Sequence, residues 1–459
     1  MPDNENASIG KLSTLQSGIS DSGSTISFEY VIDSALGIVI RNITLDNGNI
    51  RTSNIPINDD LQSTSDPLNL HDTSWLRLKH KPSIPSPRST VQICDLFSGC
   101  GGITAGVEEA CRALEIEMKP VLAWDILEGA KRTYEKNFSP VFFRDDDIEQ
   151  TIDGEIGDPI TDSEAALLAQ IASIDIVVGG PPCQGHSDLN NHSRRDDVRN
   201  ELYMRMTRFI EITKPKIAII ENVLTVQRAK SRVVQRTIDF LRELGYGVEQ
   251  HTIRGIDLGL PQDRRRHFTI ATLGKTPAIH SIIGKRVEIP RNVMWAIDDL
   301  RGFKGESTFE TSATHQIQNR ERIAWMFGKD WEEWEIEKFN VSGDPNKPEA
   351  YNLPNHRRPK CHQNGHNYPA VYGRMYPNLP SPTITTGFGS TGQGRFVHPF
   401  EQRSLTPHEA ARVQGFPDFF DFSTETGRGS LQTLIGNAVP PLMAEHLLVH
   451  LLAMFDGEV

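Results

Sequence analysis

The chain has 459 residues with 37% hydrophobic and 24% charged positions, more than one ordinary domain of ~100 to 200 residues needs and too apolar for disorder throughout. No uninterrupted apolar stretch approaches the ~18 to 20 residues of a bilayer span, and MPDNENASIGKLSTLQSG has no basic run leading into an apolar one, so a cytoplasmic protein with no membrane partner is expected, nucleoid-associated in a prokaryote. The net charge of −12 hides an uneven distribution, because residues 201–400 alone carry +8 and could face a phosphate backbone.

Residues 1–89 form an N-terminal extension rich in Ser, Asn, Asp and Thr, in which FEYVIDSALGIVIRNITL suggests a small hairpin and HKPSIPSPRST a linker. From Val91 short apolar runs alternate with amphipathic stretches: VQICDLF, ITAGVEEACRAL, PVLAWDI, LEGAKRTYEKNF, SEAALLAQIA, IDIVVGG, ELYMRMTRFIEIT, KIAIIENV, SRVVQRTIDFLREL and HFTIATL. Buried strands alternating with helices imply an α/β domain over 90–275, a doubly wound and mostly parallel sheet with helices on both faces. Over 276–400 the alternation fades into a basic, irregular region suited to recognition. Residues 401–459 restore helical periodicity and are expected to return to the sheet domain.

The five cysteines, Cys94, Cys100, Cys111, Cys183 and Cys361, are odd in number and never form a CxxC pair, which argues against a disulfide framework and a zinc site. Cys361, His362 and His366 have ligand-like spacing but lack a second pair nearby, so no metal is expected.

Three constellations sit where carboxyl ends of strands should lie, and a fourth at the start of a strand. ICDLFSGCGGITAGVEEA leads a strand through a tight glycine turn into a helix, a geometry that presents amides to a nucleotide-like ligand. Thr104 stands where a dinucleotide fingerprint has its third glycine, which favours a cofactor with adenosine but no phosphates over a nicotinamide one, and Asp125 in VLAWDI is available for ribose. GGPPCQGHS places Cys183 just past a buried strand, as a reactive thiol rather than a packed one. KIAIIENV ends in Glu221, a general acid or base candidate. In LPQDRRRHFTI, strand alternation sends Arg264 and Arg266 to one side, suiting a phosphate, a carboxylate or a polarised carbonyl.

These motifs, with SLTPHEAARVQGFP and IGNAVPP, closely resemble the cytosine-5 DNA methyltransferase family and follow its order from about Gln92 to His450. The resemblance implies a Rossmann-like fold and S-adenosylmethionine as cofactor. It further implies methyl transfer to carbon 5 of a cytosine flipped out of a specific duplex DNA sequence, through a covalent Cys183 adduct. Glu221 would bond or protonate ring nitrogen 3, Arg266 would hold the carbonyl oxygen, and Arg264 would support the same pocket. Phe97, Gly99, Gly101 and Gly102 would surround the cofactor, Asp125 would bond its ribose and Ile126 would pack on adenine. Asp147 and Ile148 would lie near the adenine amino group, and Pro182, Asn437 and Val439 would complete the wall. The family more often has Glu at the position of Asp125. The segment 276–400 takes the place of the family's target recognition domain. The modification enzyme of a restriction-modification system, acting as a monomer on DNA beside a companion endonuclease, is the role the resemblance suggests. A tRNA cytosine-5 methyltransferase is the alternative.

Overall fold

In the computed structural model, residues 13–15, 26–58, 65–182, 201–228, 232–277, 284–327, 359 and 371–458 are described. Strands β1 (Ser13–Leu15), β2 (Ser27–Asp33), β3 (Ile38–Thr44) and β4 (Ile50–Pro56) form an antiparallel meander. The sequence suggested only the hairpin β2–β3. In β3 alternate residues Val39, Arg41 and Ile43 point inward, as a period of two requires. Helix α1 (Pro67–Leu76), not foreseen, starts where the Asp66 carboxylate accepts from the Leu68 amide and Pro67 occupies the first turn.

The meander is bolted to the body by buried charge. Arg41 donates to Glu109 at 2.7 Å and to Glu445 at 2.8 Å. Those two glutamates belong to helices on one face of the main sheet.

That sheet is built from β5 (Ser89–Leu96), β6 (Ile116–Trp124), β7 (Phe142–Arg144), β8 (Ile176–Gly179), β9 (Ile217–Asn222), β10 (Tyr246–Arg254) and β12 (Arg265–Leu273), in the order β10-β12-β9-β8-β5-β6-β7. A two-residue strand, β11 (Gln262–Asp263), precedes β12. All pairings are parallel except those of β12, which runs antiparallel to both β9 and β10. The doubly wound, mostly parallel architecture expected from the sequence is present.

Its central strands are apolar at nearly every position because both faces are covered. Ile176, Val178, Ile217 and Ile219 face α2 (Gly102–Ala113) and the C-terminal helix, while Val177, Ala218 and Ile220 face α5 (Glu201–Thr213) and α6 (Val233–Glu243). Two more helices, α3 (Glu128–Phe138) and α4 (Asp162–Leu168), lie in the crossovers, and α7 (Gly255–Leu258) is a single turn before β11. Beyond the sheet come α8 (Val293–Ile297), α9 (Ile317–Phe327) and β13 (Ser381–Pro382), which pairs in parallel with β11. The chain closes with α10 (Pro407–Val413), α11 (Arg428–Asn437) and α12 (Pro441–Ala453).

Helix α12 lies so close to α2 that a Cβ on Gly106 would stand 2.2 Å from the Pro441 carbonyl oxygen, and one on Gly102 2.3 Å from that of Val439. Only glycine permits this approach. It carries the last segment back onto the sheet beside the start of α2.

Candidate active site

The carboxyl ends of four strands meet at one edge of the sheet. Leu96 pairs with both Trp124 and Gly179, and Gly179 pairs with Ile220, one residue before Glu221. Because β6 and β8 flank β5 on opposite sides, the winding reverses at β5 and opens a crevice beyond it. The constellations on β5 and β6 line one side; those on β8, β9 and β12 line the other.

On the first side the chain turns sharply after Leu96. Phe97 has φ 58°, a left-handed value unusual outside glycine, followed by Gly99 at 53° and Gly101 at 90°. A Cβ on Gly99 would meet nothing within 4 Å, so this backbone faces open space, whereas one on Gly101 would press on Phe138 at 2.4 Å. Gly99 is therefore the glycine facing open space, and Gly101 and Gly102 let the turn pack against protein. Asp125 accepts from the Gly99 amide and from the Leu127 amide, each at 2.9 Å, and burial raises its pKa against those two bonds. One residue on, Ile126 is 70% exposed, an uncovered apolar platform beside an acidic acceptor.

The three aspartates of FFRDDDI separate by partner. Asp145 pairs with Lys131, Asp146 pairs with Arg144, and Asp147 is exposed and caps the short helical turn Ile148–Gln150 by accepting from the Glu149 amide. Ile148 is buried. Asn437 is exposed at the end of α11, Val439 is buried against Gly102, and Pro182 is half-buried. An amide-bearing loop, an acidic acceptor and an exposed aliphatic side chain fit an adenosine-type ligand.

The second side holds Glu221. It is buried, and its Oε1 accepts from Arg266 Nε at 2.8 Å. Burial raises its pKa, while Arg266 and then Arg264 pull it down. A Cβ on Gly180 would lie 2.9 Å from Glu221 Oε2, so the turn after β8 rests directly on this carboxylate. Asn222 fixes the same turn by donating to the Pro181 carbonyl at 3.1 Å. Cys183 lies outside the described residues, as do Cys361, His362 and His366.

Arg264 takes a different course from Arg266. The strand breaks between β11 and β12, so the alternation that was to place both guanidiniums on one side does not run through Arg264. Fully buried, it donates to the carbonyls of Ile384, Gly436 and Ala438 at 2.8, 3.3 and 2.9 Å. Those bonds tie the stretch that carries Ile384 and the C-terminal segment to the sheet.

Two further residues were not singled out from sequence. Gln414 donates to the Ile435 carbonyl at 2.6 Å and accepts from Gln262 at 2.9 Å, and Gln262 in turn accepts from the Ile384 amide. Asp95, at the end of β5, is fully buried, accepts from Thr104 at 2.6 Å, and burial pushes its pKa up to about 7. A lone aspartate ending the apolar run VQICDL was the available signal; nothing in SLTPHEAARVQGF marked the glutamine.

A profile of the C-5 cytosine-specific DNA methylase family matches residues 91–452. The chain belongs to that family. It is 41% identical to the Type II methyltransferase M1.BsuMI of Bacillus subtilis over 90% of this chain and 92% of the relative. It is 28% identical to the Type II methyltransferase M.DdeI of Desulfomicrobium norvegicum over 78% of this chain and 87% of that one. Among solved structures, a prophage-encoded DNA modification methyltransferase of E. coli superposes with a TM-score of 0.53 at 22% identity, covering 80% of this chain and 99% of that chain, a likeness of fold. The protein is thus a DNA cytosine-5 methyltransferase by family, and the family's methyl donor is S-adenosylmethionine. Among the described residues no helix is long and apolar enough to cross a membrane.

Proposed function

We propose that this methylase acts on a cytosine flipped out of a specific duplex DNA site, with Cys183 as the transient nucleophile. Carbon 5 of cytosine is too electron-poor to accept a methyl group unaided. Addition of the Cys183 thiolate to carbon 6 pushes the ring electrons toward nitrogen 3, where protonated Glu221 donates, leaving an enamine with a nucleophilic carbon 5. Arg266 both holds the Glu221 carboxyl and has donors to offer the base's carbonyl oxygen. S-adenosylmethionine, when bound, supplies an electrophilic methyl group. Loss of the carbon 5 proton and expulsion of the Cys183 sulfur then restore the aromatic ring.

The observation that carries this reading is the buried Glu221–Arg266 pair at a strand end, in contact with the Gly180 turn that leads into Cys183. Phe97, Gly99, Asp125, Ile126, Asp147, Ile148, Pro182, Asn437 and Val439 would hold the cofactor, with Gly101 and Gly102 shaping the turn. Arg264 would brace the pocket through its carbonyl contacts. Flipping the base costs a few kcal/mol, which contacts from 276–400 and the loop after Cys183 would offset. Because relatives are Type II methyltransferases, we assign this chain as the modification partner of an endonuclease sharing its site, working as a monomer.

Cys183→Ser is expected to abolish methylation of duplex DNA while S-adenosylhomocysteine still binds by calorimetry, and the wild type is expected to form a stable adduct with 5-fluorocytosine DNA. Turnover by the serine variant would refute the nucleophile. Label transferred only to tRNA would reverse the choice of polymer, and bisulfite sequencing in a methylation-free host would give the site.

A further inference from the structure

The N-terminal segment lies outside the span matched by the family profile, yet one of its side chains reaches toward the active-site strand. We propose that Asp72, on α1, is a positioning residue that sets the Gln262–Arg266 segment and through it the Arg266–Glu221 pair. The proposal rests on the reading of Arg266 and Glu221 just given.

Asp72 is nearly buried and binds two arginines from the stretch that leaves the sheet domain. Arg286 is bidentate, its Nη1 and Nη2 lying 2.5 and 2.6 Å from the two carboxylate oxygens, and Arg291 Nη2 is 2.7 Å away. His71 Nδ1 lies 3.0 Å from the same group; burial lowers its pKa to about 4, so it is neutral and donates. One carboxylate therefore compensates two buried guanidiniums, which hold it well below its ordinary pKa against the opposing effect of burial.

Both arginines also hold one turn. Arg286 donates to the Leu258 carbonyl and Arg291 to the Gly259 carbonyl, each at 3.2 Å, and the Arg286 amide donates to the Asp257 backbone carbonyl. Gly259 has φ +101°, and a Cβ there would stand 3.1 Å from Arg291 Nη1, so the turn and the arginine are fitted to each other. Three residues later comes Gln262. The turn closes back on the strand as well, since the Gly255 amide donates to the Arg264 carbonyl and the Leu260 amide to the Gly255 carbonyl. Arg291 lies over Trp295 at 4.3 Å, and Trp295 Nε1 donates to Asn69 on α1, so the same helix fixes the arginine twice.

Loss of the Asp72 charge leaves two buried arginines with no carboxylate in ion-pair contact, only the weaker fields of Glu445 at Arg286 and Asp66 at Arg291, an arrangement far costlier than the intact cluster. They relax toward water and let go of the Leu258 and Gly259 carbonyls. The entry to β12 then shifts. Displacement of a catalytic group by ~1 Å costs as much as ~100-fold in rate.

The test compares full-length wild type, Asp72→Asn and Asp72→Glu, with active sites titrated by 5-fluorocytosine DNA. Asp72→Asn is expected to lower kcat per titrated site by about tenfold or more while S-adenosylhomocysteine affinity stays within about twofold, because the cofactor side rests on β5 and β6. Glu221 faces Arg266 and, less directly, Arg264. A loosened Arg266 therefore lets the Glu221 pKa climb and moves the alkaline limb of the kcat profile to higher pH. Asp72→Glu is expected to restore part of the rate and the limb. A purely structural brace would lower the melting temperature with kcat per site and pH limb unchanged, and that result overturns the proposal. Should Asp72→Asn not fold, Arg291→Met keeps the Arg286 pair and is expected to shift both readouts in the same direction; no shift there overturns it too. A wild type that fails to methylate DNA would count against the assigned function, not against Asp72.

Discussion

Glu221 is caught between burial, which keeps its proton on, and Arg266, which takes it off. Burial is the larger influence and the net pKa is raised. In the proposed role Glu221 donates to nitrogen 3 and works while protonated, so the rate is expected to fall as pH rises through its pKa. Arg266→Met removes the main opposing cation and is expected to displace that alkaline limb upward while kcat drops by about 10²-fold, both read from single-turnover methylation across pH. An unchanged limb would mean that Arg266 does not govern Glu221. Glu221 was legible in sequence because a carboxylate ending the apolar run KIAII has no packing reason to be there. Where Arg264 goes was not, since its acceptors at Ile384, Gly436 and Ala438 lie 120 to 174 residues away and no local pattern encodes them.

At the scale of elements, the candidate site depends on how closely α2 and α12 pack, because α2 begins at the turn proposed to hold the cofactor and α12 follows Val439. Gly102 and Gly106 face carbonyl oxygens of the incoming segment. Gly106→Val is expected to force the two helices apart, costing about 1 to 3 kcal/mol, and to weaken S-adenosylhomocysteine binding along with it. Thermal melts and calorimetry check both, and an unaffected affinity would separate this contact from the turn. The strands themselves were readable because burial on both faces writes an uninterrupted apolar run. Their directions were not. The reversal of β12 leaves no trace in composition, and α1, with the sequence PLNLHDTSWL, carries no clean polar and apolar faces that would have announced it or Asp72.

For the whole molecule, the buried titratable groups set an acid limit on stability. His71, His267, His398 and His450 are buried, and burial lowers each pKa to about 4 from 6.5. Between those values the unfolded chain takes up protons that the folded one refuses, so stability present above pH 6.5 is lost as pH falls, on the order of 1 to 3 kcal/mol for each histidine. Asp95 and Glu445 act in the opposite sense. Burial raises both to about 7, so their contribution is greatest below the ordinary carboxylate range and declines as pH rises toward 7. Burial also raises Glu108, Asp125 and Glu221, which adds to this sense, and lowers His315, which adds to the other; the four large histidine shifts outweigh the carboxyls over this window. Below it the carboxylates held down in the fold, Asp72 by Arg286 and Arg291 and Asp418 by His408 and Arg412, stay ionised while their counterparts in the unfolded chain protonate, and the loss steepens. The melting temperature of the full chain at constant ionic strength is expected to fall steadily from pH 6.5 to 4. His450→Phe removes one of the four groups at a site that already contacts Phe28, and is expected to make that decline shallower. A melting temperature flat or rising toward pH 4 in the wild type would show that the histidines are protonated without cost, and that their burial does not set the acid limit.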